Sequence, residues 1–207
     1  TTADAVRFFE EHLFAGPARQ RLASLTGTPT AQAEAILRRH LGVCFDACHA
    51  AVEFEDARAS LASLERAGIA VPKVQITTAL EADVDDARRR ELARFADEVY
   101  LHQVVIAHRD GLQRYVDLPE ALASGPDGLW RVHFHVPVFQ RELGSFRNTQ
   151  PHLREVLAVL RERPVTQHLE IETYTWDVLP QAFRAGDAAT AIAREITWTR
   201  AELEGAP

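Results

Sequence analysis

The sequence predicts an α/β fold, a sheet of parallel strands with helices packed on it, and three observations predict it. Helical and strand periodicities alternate four times along the chain, the order in which βαβ units are built. Every predicted strand has one apolar and one polar face, and amphipathic helices stand between the strands to cover the apolar side. The 207 residues, 46% hydrophobic and 26% charged, suit one domain over residues 1–207, or part of a slightly larger one.

Residues 4–14 place Val6, Phe9 and Leu13 on one helical stripe behind Thr1 and Thr2 as capping residues. Gly16-Pro17 breaks that helix. After an Ala/Arg-rich stretch, Thr30, with Glu34 placed for a capping interaction, opens a second helix that runs to about residue 40. The period then changes to two. Residues 41–46 put Leu41, Val43 and Phe45 on one face and Gly42, Cys44 and Asp46 on the other, a strand that ends in an acid. Residues 53–67 return to helical spacing through Phe54, Ala57, Leu61 and Leu64, and Gly68 supplies a left-handed residue at the helix end.

Residues 73–77 form the next strand, with Lys73, Gln75 and Thr77 alternating with Val74 and Ile76. Residues 85–96 are acidic first and basic last, the charge order that suits a helix dipole. Two β-rich runs around Arg109-Asp110-Gly111 read as a hairpin over residues 98–117 that interrupts the βα rhythm. After a short helix at 119–123, residues 130–136 form a strand with Val132, Phe134 and Val136 on one face and Arg131, His133 and His135 on the other. A turn around Gly144 leads to a helix over 149–160 that tolerates Pro151 in its first turn. The last strand, 168–175, sends His168, Glu170, Glu172 and Tyr174 to one side, and a helix over about 187–204 carries Ile192, Ile196 and Leu203.

Parallel strands buried on both faces usually read as continuous apolar runs, so the polar faces of these strands must meet somewhere. A barrel interior is the natural place, because polar side chains at the C-terminal strand ends converge at its mouth. The competing arrangement is an antiparallel sheet with one face in water, which the intervening helices disfavour.

Composition excludes several function classes. No apolar run of about 18 residues exists, and the opening residues lack the basic-then-apolar pattern of a signal peptide. A formal charge of −7 leaves no broad positive field for nucleic acid, although a metal could still recruit a small anion. Cys44 and Cys48 have neither redox nor zinc-finger spacing and read as reduced packing residues of a cytoplasmic protein.

The residues able to do chemistry stand at strand ends. Asp46 and His49 form D-x-x-H after the first strand. His133 and His135, two apart on one strand face at about 6 to 7 Å, can point into one pocket and share or bridge metal ions. Glu172, with Glu170 as competitor, completes a mixed nitrogen and oxygen set suited to zinc, manganese or iron. Lys73 and Gln75 are placed to hydrogen-bond a sugar hydroxyl or phosphate, or simply to form a polar layer. His102 and His108 lie on the hairpin as candidate substrate contacts, whereas His12, His40 and His152 read as solvated helix residues.

The segment Val43-Cys44-Phe45-Asp46-Ala47-Cys48-His49-Ala50 resembles the D-x-x-H strand of the xylose-isomerase-like TIM-barrel superfamily, and Leu169-Glu170-Ile171-Glu172-Thr173 is similar to its final, metal-binding strand. Within that superfamily the sequence resembles the EboE family, called metabolite traffic proteins. The likeness runs through Tyr100-Leu101-His102-Gln103, Arg131-Val132-His133-Phe134-His135-Val136-Pro137 and the segment from His168 to Pro180.

This resemblance implies the C-terminal half of an eight-stranded barrel, four βα units plus the hairpin insertion, completed by an N-terminal half or another chain. It implies a divalent metal cofactor, zinc, manganese or magnesium, held by Asp46, His49, His133, His135 and Glu172. His49 and Glu172 would be catalytic, and Lys73, Gln75, His102, Arg131 and Tyr174 would contact substrate. The implied activity is that of a sugar isomerase or epimerase acting on a small metabolite in biosynthesis or export. A non-catalytic metabolite carrier on the same barrel is the alternative, and an endonuclease-IV-like nuclease a distant third. Departures from the superfamily are Gln75, where many relatives carry histidine, and His133-Phe134-His135, where the nucleases carry D-x-H.

Overall fold

The computed structural model describes residues 1–96, 98–173, 176–177, 179–184 and 186–205, and these form an α/β fold with two sheets. Helix α1 (Thr2–Phe8) starts at a reciprocal capping box between Thr1 and Asp4 and continues as a π-helical turn, Phe9–Leu13, that buries Phe9. The Ala/Arg-rich stretch, to which periodicity assigns no element, is α2 (Gly16–Thr26), with proline in its first turn and left-handed Gly27 at its end. Helix α3 (Thr30–His40) begins at Pro29 with no side-chain cap, because Glu34 is engaged by Arg19 and Arg38 instead.

Strand β1 (Gly42–Asp46) leads directly into α4 (Ala47–Val52), a short helix that opens six residues before the predicted one. Its cause is Asp46, whose carboxylate accepts from the N–H groups of Cys48 and His49 and so caps the new helix. Phe54 then takes a left-handed φ of 57°, which separates α4 from α5 (Ala57–Arg66). Strand β2 (Ala70–Ile76) passes through Thr77 into β3 (Thr78–Val84), a strand that the sequence reading missed although Leu80, Ala82 and Val84 alternate with Glu81 and Asp83.

Helix α6 (Asp86–Leu92), the hairpin of β4 (Val104–His108) and β5 (Gly111–Tyr115), and α7 (Leu118–Ser124) follow. Strand β6 (Gly128–Val136) precedes a small hairpin of β7 (Glu142–Leu143) and β8 (Phe146–Asn148). Helix α8 (Gln150–Glu162), β9 (Leu169–Ile171) and α9 (Ala188–Glu204) complete the chain.

The first sheet is parallel, in the order β1-β2-β9, and its register sets Asp46, Gln75 and Glu170 side by side. The opposite face, through Phe45, Val74 and Ile76, packs against Leu61 and Leu64 of α5 and Leu153, Val156 and Leu157 of α8. The second sheet is antiparallel, in the order β5-β4-β6-β3-β8-β7, over a core that includes Trp130, Phe134 and Phe95.

The histidine-bearing strand therefore differs from its prediction. β6 pairs antiparallel with β3 and β4, so the parallel sheet holds three of the four expected strands. No crossover helix separates β2 from β3, and β3 pairs antiparallel with β6 on one side and β8 on the other. Among the described residues the sheets do not close into a barrel, and no helix is long and apolar enough to cross a membrane.

Candidate metal centre

The site is assembled where β1 ends and β6 ends. Asp46 holds the first turn of α4 through its Oδ1, at 2.8 Å from the Cys48 amide and 3.3 Å from the His49 amide. Its other oxygen meets Nδ1 of His49. Burial raises the Asp46 carboxyl, but the hydrogen bond and charge of His49 outweigh it and leave the group below its ordinary value. The same hydrogen bond raises His49 against the effect of its partial burial. The result is an acid–base dyad with a buried carboxylate and an imidazole open to solvent.

From the other side, alternation along β6 turns His133 and His135 into the same space, with Nε2 atoms 3.2 Å apart. Both side chains are over nine-tenths buried, at 8% and 3% exposure. Burial, reinforced for His133 by His49 and His135, pushes His133 down to about 3, and burial lowers His135 to about 4. Both are thus neutral imidazoles at pH 7, the form that ligates metals. Nδ1 of His135 lies 3.2 Å from the Glu172 carbonyl oxygen, whereas Nδ1 of His133 is buried without a hydrogen-bond partner. The His49 ring lies against that of His133, with centroids 4.1 Å apart.

A cavity of about 530 Å³ opens onto these groups, lined by Asp46, His49, His133, Gln75, Gln103 and the residues of α1 that include Thr2. Gln103 belongs to the Tyr100–Gln103 motif but is not among the expected site residues. It reaches the wall because its carbonyl accepts the His133 amide at 2.8 Å. Lys73 lies on the same sheet face but is ion-paired with Glu170. Glu172 follows β9, and burial, together with the charges of Asp46 and Glu170, raises its carboxyl.

Other expected contacts lie elsewhere. His102 is fully buried, packs on Phe134 and meets the His133 carbonyl through Nδ1 at 2.9 Å, which makes it a support of β6. Arg131 is committed to Glu81 at 2.8 Å and to the Ala51 carbonyl at 2.7 Å, and stacks on Phe54. It ties α4 to the antiparallel sheet instead of facing the cavity. His108 sits at the hairpin near Asp110. His12 and His40 are exposed as expected, but His152, in the first turn of α8, is buried, because it falls on the inward stripe of that helix and its neighbours cover it. Tyr174 lies outside the described residues.

The donor set fits a metal ion. Two imidazole nitrogens sharing a tetrahedral zinc at about 2.0–2.1 Å sit about 3.4 Å apart. The observed 3.2 Å between His133 and His135 matches that spacing. Two groups of donor atoms gather within 4.8 Å: Asp46, His49 and His133, and Cys48, His133 and His135. Cys48 was read as a packing residue, and only the turn of α4 toward β6 brings it here. Glu172 is in neither group and approaches through its backbone carbonyl.

The dyad gives a direct test. Asp46→Asn should return the His49 titration, followed by NMR of its imidazole, from its raised value toward about 6.5. An unchanged His49 titration would show that the dyad does not exist in solution.

The fold and site thus define an α/β protein with a histidine, carboxylate and thiol cluster at one end of its parallel sheet. No protein-family model, curated protein or solved structure matches this chain.

Proposed function

We propose that the chain is the metal-bearing part of a divalent-metal-dependent isomerase or epimerase acting on a small sugar-like or polyol metabolite. One observation carries the reading. Two buried imidazoles converge at 3.2 Å beside an aspartate–histidine dyad, and a cavity of metabolite size is lined by His133 and by both members of the dyad.

The segments that resemble the EboE family and the xylose-isomerase-like superfamily would fit the same reading. In that barrel reading β1, β2 and β9 are parallel wall strands and their polar face is interior, closed by further strands or another chain. His133 and His135 would hold the ion, with Asp46 close to His133, and the ion would supply Lewis acidity toward a substrate carbonyl. Asp46 keeps Nδ1 of His49 engaged and orients the ring, so the other ring nitrogen is left to exchange a proton with substrate. Gln75 and Gln103 offer amides to hydroxyl groups across the cavity.

A carrier function is favoured by one observation: the Glu172 carboxylate, expected to move a proton, stands outside both donor groups. Two measurements decide. Elemental analysis after exposure to zinc, manganese and magnesium should find about one ion per chain, lost in His133→Ala. NMR should then show solvent deuterium entering a sugar or sugar phosphate at the carbon next to the carbonyl. Metal without exchange, but with saturable sugar binding, would replace the isomerase by the carrier. No bound metal would end both metal-based readings.

A further inference from the structure

Cys48 occupies the second position of α4 and is completely buried, whereas Cys44 is exposed. The Asp46 cap holds the Cys48 amide at 2.8 Å and thereby fixes the direction of the whole first turn. Adjacent residues on a helix diverge by about 100°, so this turn sends His49 toward solvent and Cys48 inward. Inward lies a small apolar pocket of Val52, Ala79 and Val105, next to the two imidazoles of β6. His133 brings to it a side chain more than nine-tenths buried, with a ring nitrogen that has no partner. Its other ring nitrogen, Nε2, lies 3.2 Å from Nε2 of His135, the spacing that two ligands of one ion take.

We infer that Cys48 is a metal ligand, and that with His133 and His135 it forms a buried two-histidine, one-cysteine site for a thiophilic divalent cation, zinc above all. This deepens the metal reading proposed above and rests on it. His133 belongs to both donor groups, so the ion has an inner side, of sulfur and His135, and an outer side facing Asp46 and His49. Three protein ligands and one open position are the arrangement of catalytic zinc sites.

Charge supports the choice of ion. On binding, the Cys48 thiol releases its proton to solvent as the metal–sulfur bond forms. One thiolate and the nearby Asp46 carboxylate then balance a dication, as burial requires. A thiolate ligand also discriminates: zinc and cobalt are accepted, whereas magnesium and calcium favour all-oxygen sets.

The test is cobalt spectroscopy on the whole chain, under reductant and without oxygen, with zinc X-ray absorption beside it. Wild type and Cys44→Ser should show the visible bands of tetrahedral cobalt together with a near-ultraviolet thiolate-to-cobalt band. Cys48→Ser should lose the thiolate band and bind zinc at least about 100-fold more weakly, beyond the 10- to 100-fold cost of losing a supporting partner. X-ray absorption needs no variant and should find one sulfur at about 2.3 Å from zinc. Cobalt bound without a thiolate band, or a zinc shell of nitrogen and oxygen alone, overturns the role of Cys48 and leaves the metal reading standing. Loss of the band in Cys44→Ser instead also overturns it. A wild-type chain that takes up neither ion removes both.

Discussion

Glu81→Gln should lower the unfolding free energy by about 3–5 kcal/mol, the cost of breaking a buried ion pair from one side. Glu81 is 7% exposed and binds three guanidinium groups, through Arg147 at 2.7 Å, Arg131 at 2.8 Å and Arg141 at 3.4 Å. Burial alone would raise this carboxyl, yet the hydrogen bonds of Arg147 and Arg131 hold it below its ordinary value. Glutamine keeps the volume and removes the charge, leaving three cations close together.

Arg131 is the most buried of the three, at 18% exposure, and has the least access to water. The effect should reach the site, because the same Arg131 binds the Ala51 carbonyl of α4, the helix that carries Cys48 and His49. A urea titration of both proteins, with hydrogen exchange read on α4, checks the prediction. A loss below about 1 kcal/mol, the range of exposed pairs, would show that the arginines simply rehydrate.

The metal-free protein should lose stability steeply as pH falls from about 6.5 toward 4, before most of its carboxylates titrate. His152 is the clearest contributor: burial, with Arg131 nearby, lowers it to about 4, and neither ring nitrogen is hydrogen-bonded. The sign follows from linkage. The unfolded chain binds a proton near 6.5 and the folded chain does not until about 4, so acid favours unfolding within that window. For His152 alone the loss between about pH 7.5 and pH 5 is about 2 kcal/mol.

His133 and His135 act in the same direction, since both are lowered. Glu172 and Glu195 act in the opposite one, because burial raises their carboxyls and protonation relieves it. Asp46 and Glu81, both lowered, contribute only below their unfolded values near 4. His152→Leu should therefore flatten the pH profile of the urea midpoint, and bound zinc should flatten it further by holding His133 and His135 deprotonated. Equal acid sensitivity in wild type and His152→Leu would overturn the assignment.

Much of the site was legible because it depends on local order. A two-residue period puts His133 and His135 on one face whatever β6 pairs with, and an acid at the end of β1 with a histidine three residues on can meet its imidazole within one turn. The π turn after α1 and the short α4 were less legible, since each depends on a single cap or bulge that periodicity does not register. The strand β3 was hidden because Thr77 continues β2 without a turn signal.

Local patterns in the chain therefore suffice for the α/β class, most helices and strands, the polar and apolar face of each, and the nomination of Asp46, His49, His133 and His135 as candidate ligands. What each face meets emerges from the folded molecule. Folding places β6 antiparallel beside β3, commits Arg131 to Glu81, buries His152 on the inward face of α8 and turns Cys48 toward the two histidines. The physical reason is one of range. Periodicity is a property of the backbone over a few residues, whereas partnership is decided by burial and pairing between segments far apart in the chain, and no local pattern carries it.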